Sequence, residues 1–205
     1  MKNNTIDLPI FPISIFLLPG GVARLRIFEP RYLKLVSMAT SGNGFVIYAK
    51  DQDPQQLKSW GSWVDIINFD KGEDGVLEID VKCKSLVEIS DVNLRDHDLD
   101  FAEVRAFTHW SQKRVFTHRS QKSARSQKSA DTNLSTLNTS LSLLITNNAL
   151  LNKLYESKTD DNPYWIIARW IELLPIPLQV KNNFIFESSY SDAKKLVNSI
   201  ISNSL

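Results

Sequence analysis

Residues 8–32 read LPIFPISIFLLPGGVARLRIFEPRY, and this stretch decides how the rest of the chain is interpreted. Its opening apolar run is broken by Pro9 and Pro12. Because proline removes a ladder donor, the run predicts a strand that is short, at an edge or bulged. A Pro-Gly-Gly turn at 19–21 follows, and apolar and polar residues then alternate over 22–27. The alternation predicts a second, half-buried strand after the turn.

The end of the same stretch predicts a helix. Proline is favoured at the first helical position, and Glu29-Pro30 places a carboxylate beside the positive end of the helix dipole. Gly42 is the stop signal. The apolar residues after the start recur on one helix face: Tyr32, Leu35, Val36 and Ala39.

The bulk composition is that of an ordinary soluble globular protein. The chain has 205 residues, of which 42% are hydrophobic and 23% charged, and its formal net charge is +1. This balance gives no global bias toward nucleic acid or membranes. A single cysteine, Cys83, excludes an intramolecular disulfide and a cysteine-based zinc site. The three histidines (His97, His109 and His118) lack ligand spacing, so we expect no metal and no cofactor.

The chain carries no convincing targeting or membrane signal. Lys2 followed by the apolar run 8–18 faintly resembles a secretory signal, but two prolines inside the run and charges on both sides argue against it. No apolar run reaches the ~20 residues that a membrane-spanning helix needs. We expect a cytoplasmic protein without a membrane partner.

Residues 45–107 read as a succession of strands separated by turn signals at short intervals. This pattern favours a small barrel or sandwich over a doubly wound sheet. The predicted strands are 45–49, 60–69, 76–89 with a kink near Cys83, and 99–107, with a polar turn at 70–75.

Residues 108–131 form a basic, repetitive segment. FTHWSQKR at 107–114 is echoed by FTHRSQKS at 116–123, and RSQKSA at 119–124 recurs at 125–130. From residue 104 to residue 130 there are seven basic residues and no acidic one. Low apolar content with one sign of charge predicts a mobile loop.

Three interpretations of this basic segment stay open. It is a solvated insertion without function, an arm for nucleic acid, or a docking strap for an acidic protein. Trp110 and Phe116 are available for base stacking. The cations that would contact phosphates are Lys113, Arg114, Arg119, Lys122, Arg125 and Lys128.

The last third of the chain has helical periodicity. Its apolar spacing and its Pro and Ser start signals predict helices over about 133–156, from 163, over 177–184 and from 191. The chain is therefore predicted to be α+β. Its parts are a β-barrel subdomain at 1–107, the basic segment at 108–131 and a C-terminal α-helical bundle at 132–205.

Several of these segments resemble the substrate-binding N-terminal domain of Lon proteases. The most specific block joins LPIFPISIFLLPGG at 8–21 to RLRIFEPRYLKLV at 24–36. Supporting blocks are WGSWVDI at 60–66, GEDGVLEIDVKCKSLVEI at 72–89 and WIELLPIPLQVKNNFIF at 170–186. The resemblance implies a PUA-like pseudo-β-barrel of mixed strands with one early helix, followed by helices, in agreement with the patterns above.

The chain departs from the family pattern at a few positions. Ser62 stands where the family has Thr, Cys83 where it usually has Gly, and Leu86 near its usual Arg. The basic segment 108–131 is an insertion relative to that pattern. If the strand with Cys83 and Leu86 shapes a binding surface, we expect that surface to differ here.

The resemblance implies a recognition function without catalysis. No G-x-x-x-x-G-K-[ST] phosphate loop is present, and the 205 residues leave no room for the Lon ATPase and Ser–Lys peptidase domains. We therefore expect a stand-alone, non-enzymatic module that binds unfolded or partly folded protein segments and works with a protease or chaperone. The candidate binding residues are Arg24, Arg26, Phe28, Glu29, Arg31, Tyr32, Trp60 and Trp63.

Less specific explanations compete with each of these assignments. The arginines also fit the solvated face of a half-buried strand, and the aromatics also fit the core. An RNA-binding protein that uses the barrel and the basic segment is the alternative function, and a small hydrolase with an unrecognised site is a third. Cys83 is expected to be a buried strand residue. The apolar faces of the helices could also support a weak homodimer.

Overall fold

The computed structural model describes residues 5–48, 59–95, 98–113, 124–155 and 160–202, with side chains in the fourth range described from residue 134. These ranges contain six strands and six α-helices. In chain order they are β1 Ile6–Pro12, β2 Val22–Ile27, α1 Pro30–Ser41, β3 Phe45–Tyr48, β4 Ser59–Lys71, β5 Leu77–Arg95, β6 Leu99–Phe107, α2 Ala124–Asn147, α3 Ala149–Tyr155, α4 Pro163–Leu173, α5 Leu178–Lys181 and α6 Tyr190–Ser202. Short 3-10 turns lie at Trp110–Gln112, Asn182–Phe184 and Glu187–Ser189.

Five strands close into a ring. β1 pairs with β3 in parallel, and all other pairings are antiparallel. The order around the ring is β1, β3, β4, β5 and β6, with β6 returning to β1. Such closure leaves no strand edge within the ring itself. The α+β class, the mixed-strand pseudo-barrel, the early helix and the C-terminal helices are thus confirmed.

Three strand segments extend beyond the ring and form a unit that we call the arm. It consists of β2, residues 77–82 of β5 and residues 65–71 of β4, with β5 in the middle. β3 reaches β4 only as far as Val64, and β6 pairs with β5 only from Leu86 onward. The arm is therefore a three-stranded sheet with an outer side on β2 and another on β4.

The long strands are bent by bulges. Pairing between β4 and β5 shifts at Lys84, close to the kink predicted near Cys83, and again at Ile67. A bulge inserts an unpaired residue and increases the local twist, which lets the strand leave the ring and enter the arm. β5 continues to Arg95, six residues beyond its predicted end.

The helical region differs from the prediction at two points. The single helix predicted over 133–156 is divided, because the Asn148 side chain accepts a hydrogen bond from Leu151 N–H at 3.0 Å and caps a new helix. Helix α2 also begins earlier, at Ala124, so the backbone of 124–131 is helical where a loop was predicted. Residues 124–147 contain no proline or glycine, so nothing in the sequence stops the helix from extending back.

One hydrophobic core joins the barrel to the helices. It includes residues from both regions, such as Phe45, Ile79, Leu141, Ile167 and Val197. A second, smaller cluster lies on the other face of the ring: Leu8, Ile10, Val46, Val87, Ile89, Ala102 and Val104. Successive strand residues point to opposite faces, so both sides of the ring are apolar.

The turn at 19–21 is one place where the two regions are joined by polar contacts. Glu172 on α4 accepts a hydrogen bond from Leu18 N–H at 2.6 Å and pairs with Arg169, which is fully buried. Arg169 in turn donates to the backbone oxygens of Leu18 and Pro19. The turn and α4 therefore supply hydrogen bonds to each other's buried polar groups, although Arg169 Nη1 has no partner among the described residues.

Glycine is needed at both turn positions, for different reasons. Gly20 has a φ of +87°, a conformation that side chains with a Cβ rarely adopt. A Cβ on Gly21 would lie 2.3 Å from Glu172 Oε1, which is closer than real contacts allow. The Pro-Gly-Gly sequence is thus matched to the buried carboxylate beneath it.

We predict that Gly21→Ala destabilises the protein by roughly 2–4 kcal/mol, because Glu172 must move and leave its buried partners unsatisfied. Denaturant unfolding followed by circular dichroism measures the change. Gly42→Ala, at the exposed end of α1, is the matched control and is expected to cost less than about 1 kcal/mol. Equal effects of the two substitutions would contradict the role given to Glu172.

Candidate functional site

Two of the predicted binding aromatics lie in the core. Tyr32 and Trp60 are 8% and 5% exposed. The Tyr32 ring lies 4.5 Å from that of Phe11, and Trp60 meets Phe16 edge-on at 5.6 Å. The prediction that these two residues are surface anchors is therefore wrong, and both pack in the core. A large aromatic side chain on the inner face of a helix or ring strand is buried there because it removes much apolar area from water.

Arg24 is part of an ion-pair network on one face of the arm. Its guanidinium lies 2.7 Å from Asp80, 3.1 Å from Glu78 and 3.4 Å from Asp70. Burial acts to raise the pKa of Asp80, but hydrogen bonds from Arg24 and Asn68 outweigh it and hold that pKa below its ordinary value. Arg24 therefore ties β2 to β5 and β4, and its charge is already matched within the protein.

The corner between β2 and α1 presents the most exposed aromatic of the predicted set. Phe28 is 65% exposed, and the Arg26 guanidinium carbon lies 5.1 Å from its ring centre. Glu29 is the N-cap of α1, so Phe28 and Leu33 occupy the positions that form a hydrophobic staple across a helix start. Leu33 is also exposed. The corner is thus an apolar surface of the size of two side chains.

Charged residues surround this corner. Arg31 pairs with Glu29 at 2.8 Å and lies over the Tyr32 ring at 4.6 Å. Arg26 pairs with Asp74 and, at 3.4 Å, with Glu78. Of the eight predicted binding residues, Arg26, Phe28, Glu29 and Arg31 are therefore brought together at one exposed place.

The β4–β5 hairpin forms an acidic tip beside the corner. A shallow cleft there is lined by Arg26, Asp70, Lys71, Gly72, Glu73, Asp74 and Glu78. A hydrogen bond from Lys153 lowers the pKa of Asp70, and one from Arg26 lowers the pKa of Asp74. Four carboxylates against two cations leave the lining with a net negative charge.

Trp63 is positioned away from that corner. Its indole N–H donates to Asn43 O at 2.6 Å, and the Lys84 ammonium lies 4.1 Å from its ring centre. Lys84 also pairs with Asp65 at 2.6 Å. Trp63 packs against the smaller core cluster and is half-buried, so part of its ring is engaged within the protein.

The fold agrees with what is found among known proteins. The family model described as the ATP-dependent protease La (LON) substrate-binding domain matches residues 7–203. The chain belongs to the Lon substrate-binding domain family. A search of curated protein sequences gave no match.

Solved structures of Lon N-terminal domains share the fold. The Lon N-terminal domain protein from Xanthomonas campestris has a TM-score of 0.59 at 24% identity, covering 94% of this chain and 97% of that one. The N-terminal domain of Mycobacterium avium complex Lon protease has a TM-score of 0.61 at 10% identity, with coverages of 98% and 100%. At these identities the likeness establishes the fold alone.

The departures from the Lon pattern are internal. Cys83 and Leu86 are 1% and 0% exposed, and the Ser62 hydroxyl donates to Leu17 O at 2.6 Å inside the protein. Burial raises the pKa of the Cys83 thiol, and the nearby Glu172 carboxylate raises it further. All three positions therefore lie inside the protein, and the burial of Cys83 disfavours the thiolate form that a nucleophile needs.

The described residues include part of the basic segment 108–131. Lys113 pairs with Glu187 at 3.1 Å. Arg114, Arg119 and Lys122 lie outside the described residues, and Arg125 and Lys128 belong to α2, where only the backbone is described. The predicted nucleic-acid arm stays a prediction.

Sequence reasoning missed the polar groups at the junction. His109 is fully buried, donates from Nε2 to Phe184 O at 2.8 Å and accepts from Ser111 N–H at 3.1 Å through Nδ1. Trp110 donates to the same Phe184 oxygen at 3.1 Å. Burial lowers the pKa of His109 to about 4, so the ring is neutral at pH 7. The only sequence signal was the weak capping pattern that pairs His109 with Gln112.

Among the described residues, no group of three or more His, Cys, Asp or Glu side chains is placed to hold a metal ion. No described helix is both long and apolar enough to cross a membrane.

We predict a pH dependence of stability that originates at His109. Its pKa is lowered from 6.5 to about 4 in the folded state, so the unfolded chain binds more protons between these values. The free energy of unfolding is therefore expected to fall by up to roughly 3 kcal/mol as the pH drops from above 6.5 toward 4.

His109→Gln isolates this contribution from that of the carboxylates. Glutamine keeps a donor for Phe184 O but does not titrate, so the variant should lose less stability than the parent over the same pH range. Urea unfolding at several pH values measures both slopes. Parallel slopes for parent and variant would show that His109 is not the group responsible.

Proposed function

We propose that this chain is a non-catalytic recognition module that binds exposed hydrophobic segments of protein clients through the β2–α1 corner. The observation that carries the proposal is the exposure of Phe28 and its neighbour Leu33 inside a ring of charges, on a domain whose family is a substrate-binding one. Exposed aromatics with a charged rim are typical of protein-binding surfaces.

The titratable groups of the chain support binding over chemistry. His109, Cys83 and Tyr155 have strongly shifted pKa values among the described residues, and all three are buried. Burial keeps each of them in its neutral form and away from solvent. A substrate at the surface cannot reach them, which disfavours the hydrolase alternative.

The nucleic-acid alternative receives less support from the described residues. Its one described side chain, Lys113, is engaged with Glu187. The acidic tip beside Phe28 would also repel phosphates from this end of the molecule.

The proposal also includes what happens to a bound client. A protein segment held at the corner would be passed to a protease or chaperone.

We predict that the full chain binds reduced, carbamidomethylated α-lactalbumin, which is permanently unfolded, and does not bind the native form of that protein. Phe28→Asp should weaken the binding at least ~10-fold, because it places a charge where an aromatic anchor is buried in the complex. Isothermal titration calorimetry or fluorescence anisotropy measures the affinities.

Phe186→Asp provides the matched control. Phe186 is 60% exposed but lies between the 3-10 turns of the helical region, away from the corner. Its substitution should change the affinity by less than about two-fold. Equal losses in both variants, or no binding of the unfolded protein by the parent chain, would overturn the proposed function.

A further inference from the structure

Within the part of the chain that the structure describes, the outer side of β4 in the arm is an unpaired strand edge. β3 pairs with β4 only up to Val64, whereas β5 pairs with it as far as Lys71. Of the described strands, residues 65–71 therefore pair with β5 alone. Among the described residues, no backbone group bonds to Phe69 on the opposite side.

The register determines which backbone groups face outward. Cys83 donates its N–H to Gly21 O and accepts from Gly20 N–H. The odd-numbered residues of β5 in the arm therefore direct their backbone N–H and C=O groups toward β2. The backbone groups of Asp80 and Glu78 consequently point toward β4, where these residues lie opposite Asn68 and Asp70. Since alternate residues direct their backbone groups to opposite sides, Phe69 and Lys71 direct theirs away from β5.

A hydrogen bond supports this assignment independently. Lys71 N–H is bonded to its neighbour's carboxylate, Asp70 Oδ1, at 2.9 Å. A side chain thus satisfies a strand N–H that has no strand partner. Phe69, two residues earlier, has the same outward orientation and no such cap.

Side chains along this edge are apolar and open to solvent. Ile67 and Phe69 are each 50% exposed. Phe69 lies opposite the buried Ile79, so it continues the apolar face of the arm out to the edge. An unpaired edge with exposed apolar side chains is a template for another strand.

The same edge carries features that limit its length. The bulge at Ile67 interrupts regular pairing, and Lys71 closes the other end with a charge. Both devices restrict indiscriminate edge-to-edge association. What remains suits a short extended segment and does not suit a long strand.

We infer that a client is held as an additional β-strand along residues 67–71 of β4. The occupant is a short extended segment with apolar residues at alternate positions and a basic residue that meets the acidic tip. Main-chain hydrogen bonds would supply affinity without regard to sequence, while the half-exposed apolar side chains favour hydrophobic segments. The inference rests on the proposed function and specifies the conformation in which the client is bound.

The edge and the Phe28 corner lie at the same end of the arm. Ile27, Leu77 and Lys71 are aligned across the three strands, so the two surfaces are separated by two strand spacings, about 10 Å. The acidic tip, with Asp70, Glu73 and Asp74, connects them. One client segment can therefore contact both.

The test uses the full chain and a fluorescent seven-residue peptide, lysine-valine-threonine-valine-threonine-valine-lysine. Two further versions carry N-methyl groups on alternate backbone amides, one version for each side of the strand. Only the version methylated on the side that faces β4 should lose affinity, by at least ~10-fold, because methylation removes the hydrogen bonds and keeps every side chain.

Substitutions at Phe69 test the protein side of the pairing. Phe69→Pro removes an outward N–H that serves no ladder bond, so the fold should persist while peptide binding falls at least ~10-fold. Phe69→Val keeps the backbone donor and should stay within about five-fold of the parent. Leu94→Asp, at a 67% exposed strand residue outside the arm, should bind as the parent does. Circular dichroism and urea unfolding verify that the variants are folded.

Each alternative result has a distinct meaning. Equal binding of both methylated peptides, or parent-like binding by Phe69→Pro, overturns the inference. Binding of unfolded α-lactalbumin without binding of the peptide overturns it too, and leaves the proposed function standing. Failure of both ligands overturns the proposed function. A dimer in sedimentation equilibrium that Phe69→Pro abolishes, with no peptide bound, would make a second copy of the chain the occupant and also overturn the inference.

Discussion

The buried ion pair between Arg169 and Glu172 is the interaction on which the rest of the structure depends. Both side chains are essentially removed from water. Burial raises the pKa of the Glu172 carboxyl, while the Arg169 charge and three N–H donors (Arg169 Nε, Arg169 Nη2 and Leu18 N) stabilise the carboxylate and oppose that rise. A pair buried this deeply depends on such compensation, which here reaches both carboxylate oxygens and two of the three guanidinium nitrogens, while Arg169 Nη1 has no hydrogen-bond partner among the described residues.

The need for hydrogen bonds to Glu172 also determines where the neighbouring segments lie. The carboxylate needs the Leu18 amide, so the loop before the turn must pass directly over α4. Gly20 and Gly21 then bond to Cys83 and align β2 with β5. With β2 fixed at this end by the turn and along its length by Arg24, its far end emerges at the surface with Phe28, beside the acidic tip. The proposed client-binding surfaces thus lie at the end of a rigid arm.

Local sequence patterns predicted the parts of this arrangement that depend on neighbours in the chain. The Pro-Gly-Gly turn, the alternation over 22–27 and the Glu29-Pro30 helix start each contain their own physical reason. Arg169 and Glu172 could not be recognised in this way, because their partners lie about 150 residues earlier in the sequence. A charged residue in a helix is normally assigned to the solvated face.

The same limit applied to the candidate site. Side-chain type suggested eight candidate binding residues. It could not separate Phe28, which is exposed, from Tyr32 and Trp60, which are buried in the core. Exposure of an aromatic is decided by the packing of distant segments. The free edge at Phe69 was likewise invisible, since it follows from where β3 ends relative to β4.

The most direct test of this account is a double-mutant cycle on the buried pair. Arg169→Met, Glu172→Gln and the double variant are unfolded in urea, and the coupling free energy is taken from the three changes. The account predicts that each single change costs roughly 3–5 kcal/mol and that the two are coupled by at least about 2 kcal/mol. Additive effects, with a coupling below about 0.5 kcal/mol, would contradict the claim that the pair holds the turn and α4 together.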